Sequence, residues 1–171
     1  LADKTVLIVG YGSIGAAVET RLRPFECDVL RVARRARDGV AGFGELPTLV
    51  DWADVVVLTV PLTDQTRGLV DAAFLARMRD GAVLVNVSRG SVVDTDALLA
   101  ELFAGRIGAA LDVTDPEPPP AGHPLWSAPN LILTPHVGGN TSAFLPRAVR
   151  LMTAQLERVA RGEPLANVVV D

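Results

Sequence analysis

Cysteine, histidine and lysine are scarce: Cys27, the pair His123 and His136, and Lys4 are all that 171 residues contain of these types. A single cysteine excludes an internal disulfide, and with two histidines beside it no structural zinc site is expected, so the metal-ligand set is none. Long apolar runs are missing too. The longest, Val55 to Leu62, contains Thr59 and Pro61 and is far too short to cross a bilayer. Nothing resembles a signal peptide, which predicts a cytoplasmic protein. Net charge is -4 and the arginines are scattered instead of gathered in a block, which argues against a nucleic-acid surface.

What is present is a chain that is 49% hydrophobic, enough for one domain with a sizeable core. It starts at Leu1-Ala2-Asp3 without methionine and enters a strand almost at once, which reads as a fragment of a longer protein.

Val6-Leu7-Ile8-Val9 is an apolar run of the kind buried on both faces of a parallel sheet, and it ends in Gly10-Tyr11-Gly12-Ser13-Ile14-Gly15. Gly10 permits a tight turn, Gly12 lets backbone approach a pyrophosphate, and Gly15 lets the next helix lie close to the strand. The N–H groups of Ser13, Ile14 and Gly15 would open that helix and meet a phosphate at the positive end of its dipole. The alternative is a purely structural turn.

The remaining chain alternates. Helices are predicted over 14–22, 46–52, 71–79, 94–104 and 141–161, the last broken or kinked near Pro146. Strands are predicted over 28–33, 55–60, 82–87, 107–111 and 131–133. Gly39 to Gly44 reads as a glycine-spaced connection. Six prolines crowd Asp115 to Pro129, predicting a stiff, irregular loop. The turn from Thr63 to Gly68 lies at a strand's carboxyl end, where open sheets bind ligands, or is plain connection. The pattern predicts a Rossmann-type, doubly wound parallel α/β sheet of about six strands with helices on both faces. Residues 1–161 form this domain, and residues 162–171 a tail.

A dinucleotide fold usually places an acid for the ribose 2′-hydroxyl at the tip of the second strand, about 20 residues past the glycines. Here the tip is Ala33-Arg34-Arg35. Adjacent guanidinium groups without an acid suit a 2′-phosphate, so NADP is preferred to NAD. The alternative is a solvated loop shared with Arg31 and Arg37.

Arg89, Glu117 and His136 each stand after a strand end, so they can converge on one sheet edge. Arg89 can clamp a carboxylate and polarise the adjacent carbonyl, or pair with a neighbouring acid. His136 suits a proton donor, or a packed or capping residue. Glu117 can fix the imidazole tautomer, or be a solvated acid. A hydride transfer to a carbonyl needs such a set.

These blocks, with Val60-Pro61-Leu62-Thr63, Asn86-Val87-Ser88-Arg89-Gly90, Leu111-Asp112-Val113, Glu117-Pro118 and Thr134-Pro135-His136-Val137-Gly138-Gly139, resemble the D-isomer-specific 2-hydroxyacid dehydrogenases, nearly end to end. The resemblance implies that Arg89 binds the substrate carboxylate and carbonyl, His136 is the general acid/base, and Glu117 tunes that histidine. It places Asp112 near the nicotinamide carboxamide. It sets Ser13, Ile14, Val60, Pro61, Val87, Ser88, Gly138 and Gly139 along the cofactor with Gly10, Gly12, Gly15, Arg34 and Arg35. His123 matches a non-catalytic position. The family's second, smaller domain is absent from this sequence. The implied parent is a homodimeric reductase of small 2-oxo acids such as glyoxylate or hydroxypyruvate; the other reading is a nucleotide-sensing regulator similar to transcriptional corepressors on this fold.

Overall fold

Val6 to Val9 are all buried, which an apolar, mostly β-branched run achieves only as a strand flanked on both sides and covered on both faces. A computed structural model describes residues 1–168. It shows this run as β1 (Thr5–Val9), paired in parallel with β2 (Asp28–Ala33) and β4 (Val55–Leu58). β5 (Val83–Asn86), β6 (Gly108–Leu111) and β7 (Leu131–Leu133) extend the sheet on one side, and β3 (Ala41–Gly42) on the other. The order is β3-β2-β1-β4-β5-β6-β7, and every pairing is parallel.

The sheet thus has seven strands where the sequence predicts about six. The additional one, β3, is two residues long and contains a glycine, so no apolar periodicity announces it. It exists because Ala41 and Gly42 pair with Val32 and Ala33 at the tip of β2.

Helices cover both faces. α1 (Ser13–Leu22) lies on one, where Val6, Ile8 and Val57 pack with Val18, Leu22 and Cys27. α2 (Leu46–Val50), α3 (Ala72–Arg77) and α4 (Thr95–Phe103) share the larger cluster with Leu7, Val9, Val56, Leu58, Leu84 and Leu111. Asp71 and Asp94 cap α3 and α4, accepting from the Phe74 and Ala97 N–H groups at 2.8 and 3.0 Å.

Most predicted boundaries shift by one to three residues, and two differences have a clear physical reason. β4 stops at Leu58 instead of Val60, where its partner β1 ends at Val9: Thr59 N–H still donates to Val9 O at 2.8 Å, and its hydroxyl donates to Gly10 O at 2.9 Å in the glycine turn. The last helix, α5 (Phe144–Ala160), is unbroken. Pro146 sits in its first turn, where a backbone N–H has no intrahelical partner to lose.

By internal contacts the chain forms two compact units, residues 1–136 and Val137 onward. The second holds α5, and a following segment tied to it by Gln155, whose Nε2 donates to Ala166 O at 2.9 Å and whose Oε1 accepts from Ala166 N–H at 3.0 Å. The last residues of the predicted tail, 169–171, lie outside the described residues.

Candidate active site

The carboxyl ends of β1, β2, β4, β5, β6 and β7 fall on one edge because the ladder is parallel and in step: Leu58 opposes Asn86, Asn86 opposes Leu111, and Leu111 opposes Leu133. Groups far apart in sequence therefore leave the sheet side by side.

The glycine turn follows β1. Gly10 has φ +104°, and a Cβ there would stand 2.7 Å from the backbone of Thr59 and Val60, so no other residue fits. A Cβ on Gly15 would lie 2.9 Å from Gly10 O, which reflects the close seating of α1 on β1. Gly12 differs. Its missing side chain would meet nothing within 4 Å, and Gly12 opens α1 without any side-chain cap. An exposed, uncapped helix start with backbone clear on its outer side fits a pyrophosphate. Ser13 and Ile14, on that first turn, are exposed.

At the tip of β2, Arg34 and Arg35 are exposed and make no ion pair or hydrogen bond among the described residues. Arg31 does not join them. Its Nε donates to Glu19 Oε2 at 2.8 Å and its Nη2 to Glu19 Oε1, while the Tyr11 hydroxyl donates to the same carboxylate. These bonds, Arg31 first and Tyr11 second, hold the Glu19 pKa down to about 2 against the opposing effect of burial.

After β4, Val60 is buried and Pro61 exposed. The Thr66 hydroxyl donates to Pro61 O at 2.6 Å and accepts from Thr63 N–H at 2.8 Å, so the turn after Pro61 is a built structure.

After β5, buried Asn86 organises the loop. Its Oδ1 accepts from Ser88 N–H at 3.0 Å and from the Ser88 hydroxyl at 2.7 Å, while its Nδ2 donates to Arg89 O at 3.0 Å. Val87 points out, Ser88 in, and Arg89 out; Arg89 donates to Ser88 O at 2.6 Å and makes no ion pair among the described residues. Gly90 is pressed on the next loop, since a Cβ there would stand 1.8 Å from Thr114 O.

That next loop carries Glu117. One carboxylate oxygen accepts from Thr114 N–H at 3.4 Å, and the other lies 2.6 Å from His136 Nδ1. His136 follows β7 in the left-handed region, φ +53°, a conformation uncommon for residues with a side chain and concentrated at functional sites. With Nδ1 bonded to a carboxylate, the proton on the ring is placed there in the neutral form and Nε2 is the nitrogen left for exchange. Asp112, half-buried, accepts from the Thr134 hydroxyl at 2.6 Å.

Asp112, Glu117 and His136 line a cleft of about 510 Å³ whose walls are Pro118, Trp126 and Leu133. His123 is elsewhere: its Nδ1 accepts from Leu125 N–H at 3.2 Å, a local capping role. Gly138 and Gly139 fall in the second unit, in a turn where Asn140 N–H donates to Val137 O at 2.8 Å.

Asn86, Tyr11 and Glu19 were not singled out as site residues by sequence. Asn86 is a polar residue closing a buried apolar strand, a signal that was there to read; the pairing of Tyr11 and Glu19 with arginines needs the fold. No group of three potential ligands that could hold a metal is found among the described residues.

A parallel sheet with a glycine turn into an open helix, a histidine–carboxylate pair in a cleft at the carboxyl edge, and an arginine after β5 at that edge but outside the cleft lining are the features of a dinucleotide-binding domain. Comparison narrows the class. Residues 1–138 match the model of the D-isomer specific 2-hydroxyacid dehydrogenase, NAD binding domain, and the chain belongs to that family. It is 38% identical to human glyoxylate reductase/hydroxypyruvate reductase, across 98% of this chain and 53% of that protein. It is 34% identical to a mitochondrial formate dehydrogenase of Solanum tuberosum, across 99% and 47%. A Xanthobacter autotrophicus Py2 D-isomer specific 2-hydroxyacid dehydrogenase, solved with NADPH and MES, superposes with TM-score 0.87 at 38% identity, across 98% and 71%. The chain spans about half the length of the curated relatives it matches.

Proposed function

We propose that the chain is the cofactor domain of a reductase that converts small 2-oxo acids, such as glyoxylate or hydroxypyruvate, to D-2-hydroxy acids, with NADPH preferred to NADH. In this reading residues 1–161 are the cofactor domain and residues 162–171 lead toward a substrate domain of the parent, a homodimer. The observation that carries it is the 2.6 Å contact of His136 with Glu117, with Arg89 unpaired on the neighbouring strand end. The nicotinamide supplies the hydride when bound.

The protein's part is binding and proton handling. Arg89 holds the carboxylate and draws electron density toward the carbonyl oxygen. As the carbonyl carbon gains its hydride, the doubly protonated His136 ring gives its Nε2 proton to that oxygen and returns to the neutral form, with Glu117 keeping the ring aimed through the remaining Nδ1 proton. Asp112 serves the carboxamide. Gly10, Gly12, Ser13, Ile14, Gly15, Val60, Pro61, Val87 and Ser88 lie along the cofactor, and Arg34 and Arg35 take the 2′-phosphate.

The test uses the full-length parent with glyoxylate and hydroxypyruvate. Arg89→Ala should raise KM for the oxo acid and lower kcat/KM by about 10²-fold or more, and His136→Ala should lower kcat by about 10²–10⁴-fold. Unchanged turnover in both variants would sink the mechanism. Absence of cofactor oxidation with every small 2-oxo acid would favour the regulator, and reduction of NAD(P)⁺ by formate would favour the formate chemistry of the Solanum relative.

A further inference from the structure

Of the four arginines from residue 31 to residue 37, one is fixed by contacts to the glycine turn, and it is neither Arg34 nor Arg35. Arg31 is spent on Glu19, as described above. Arg37 is placed by a hairpin: its N–H donates to Val40 O at 2.9 Å and Val40 N–H donates to Arg37 O at 2.8 Å, closing a two-residue turn, Asp38-Gly39, with φ +67° at Gly39. From there its guanidinium reaches the glycine turn. It lies 5.8 Å from the centre of the Tyr11 ring, and its Nη2 donates to Tyr11 O.

Tyr11 is a rigid platform. Its N–H donates to Val32 O at 2.8 Å, its hydroxyl is anchored on Glu19, and Arg31 stacks on it at 5.7 Å. A second cation against that ring is held by the ring quadrupole and a carbonyl, both neutral acceptors. Arg37 is exposed and makes no ion pair among the described residues, so its charge is uncompensated, and one Nη2 bond leaves the other donors of its fork available. It stands beside the tip of β2 and the residue between Gly10 and Gly12, the place where a dinucleotide's adenosine ribose is read.

We propose that Arg37, seated on Tyr11, is the preorganised cation that selects a 2′-phosphorylated dinucleotide, with Arg34 and Arg35 as looser accessories. The inference rests on the NADP reading and sharpens it. A guanidinium already fixed loses less rotamer freedom on binding a phosphate than two unrestrained ones. Charge alone would make the three arginines interchangeable; the Tyr11 contacts make them unequal.

The experiment titrates this chain and its variants with NADPH and with NADH, read by ligand fluorescence, with circular dichroism to establish folding. Arg37→Ala should weaken NADPH at least tenfold and NADH less than twofold. Arg34→Ala and Arg35→Ala should each weaken NADPH less than Arg37→Ala does. Tyr11→Leu should weaken NADPH selectively, several-fold, while Tyr11→Phe, which keeps the ring, should retain most of the NADPH affinity. Equal loss for both cofactors in Arg37→Ala, or a larger NADPH loss in Arg34→Ala or Arg35→Ala, overturns the proposal while leaving the NADP reading intact. A wild-type chain that binds NADH as tightly as NADPH overturns both. Should Tyr11→Leu not fold, the arginine series and Tyr11→Phe decide alone.

Discussion

Half-buried Glu19 and buried Asn86 show how much rests on single polar groups. Glu19 has its pKa lowered from an ordinary 4.5 to about 2 by the Arg31 bonds and, second, the Tyr11 hydroxyl. A depressed carboxylate contributes stability that is fully present above pH 4.5 and lost as pH falls toward 2. Acid titration should therefore destabilise the wild-type chain through that window more steeply than Glu19→Gln. The variant should be less stable at neutral pH by about 1–3 kcal/mol, measured by urea unfolding. If the two unfolding curves run parallel from pH 5 to 2, the pairing does not hold in solution.

Asn86 satisfies three groups of the Ser88-Arg89 loop, the Ser88 N–H, the Ser88 hydroxyl and the Arg89 carbonyl. Asn86→Ala should cost about 1–3 kcal/mol of stability for the groups left unpaired. In the full-length parent it should raise KM for the oxo acid more than KM for NADPH, because the loop it steadies presents Arg89. A change confined to stability, with both KM values unmoved, would make Asn86 a packing residue only.

Among the elements, capping was legible and turning was not. Asp94, the acid that opens the predicted helix over 94–104, is its cap: its carboxylate accepts from Ala97 N–H at 3.0 Å. Asp94→Ala should lower the stability of the chain by about 1 kcal/mol, seen as a reduced urea midpoint with unchanged slope. An unaltered midpoint would mean that α4 is held by Leu98, Leu99 and Leu102 alone. β2 and β7 begin and end where the sequence predicts, at Asp28–Ala33 and Leu131–Leu133. β3 went unseen because two residues, one a glycine, carry no period, and its existence depends on the strand beside it. Pro146 misled for a related reason: a proline breaks a helix interior and is harmless in a first turn, and local sequence did not reveal where the turn began.

For the molecule as a whole, the residues proposed to line the cofactor, Gly138 and Gly139 apart, belong to the first unit, residues 1–136, whose core is complete enough to bury Leu7, Ile8, Leu58, Leu84 and Leu102 fully. This unit should bind cofactor without the remainder of the parent. Saturation with NADPH at about 100 times its Kd should stabilise the chain by about 2.7 kcal/mol, observed as a raised Tm. No shift at millimolar NADPH would show that the open helix start and the arginines do not make a competent site by themselves. In the second unit α5 carries Leu145, Met152, Leu156 and Val159 exposed on its surface. Among the described residues no helix is long and apolar enough to cross a membrane.

The glycine spacing, the alternation of apolar runs with amphipathic segments, and the charged residues after strand ends determined the fold class and the candidate set Arg89, Glu117 and His136, because these depend on local period and on the rule that parallel strands finish together. Only the tertiary structure decided which of those groups touch. The Glu117–His136 contact spans 19 residues, and the Tyr11 platform joins Glu19 on α1, Arg31 on β2 and Arg37 in the hairpin. Pairing of that kind is set by strand register and loop closure, and four arginines that look alike in the chain become one structural ion pair, one seated cation and two free ones.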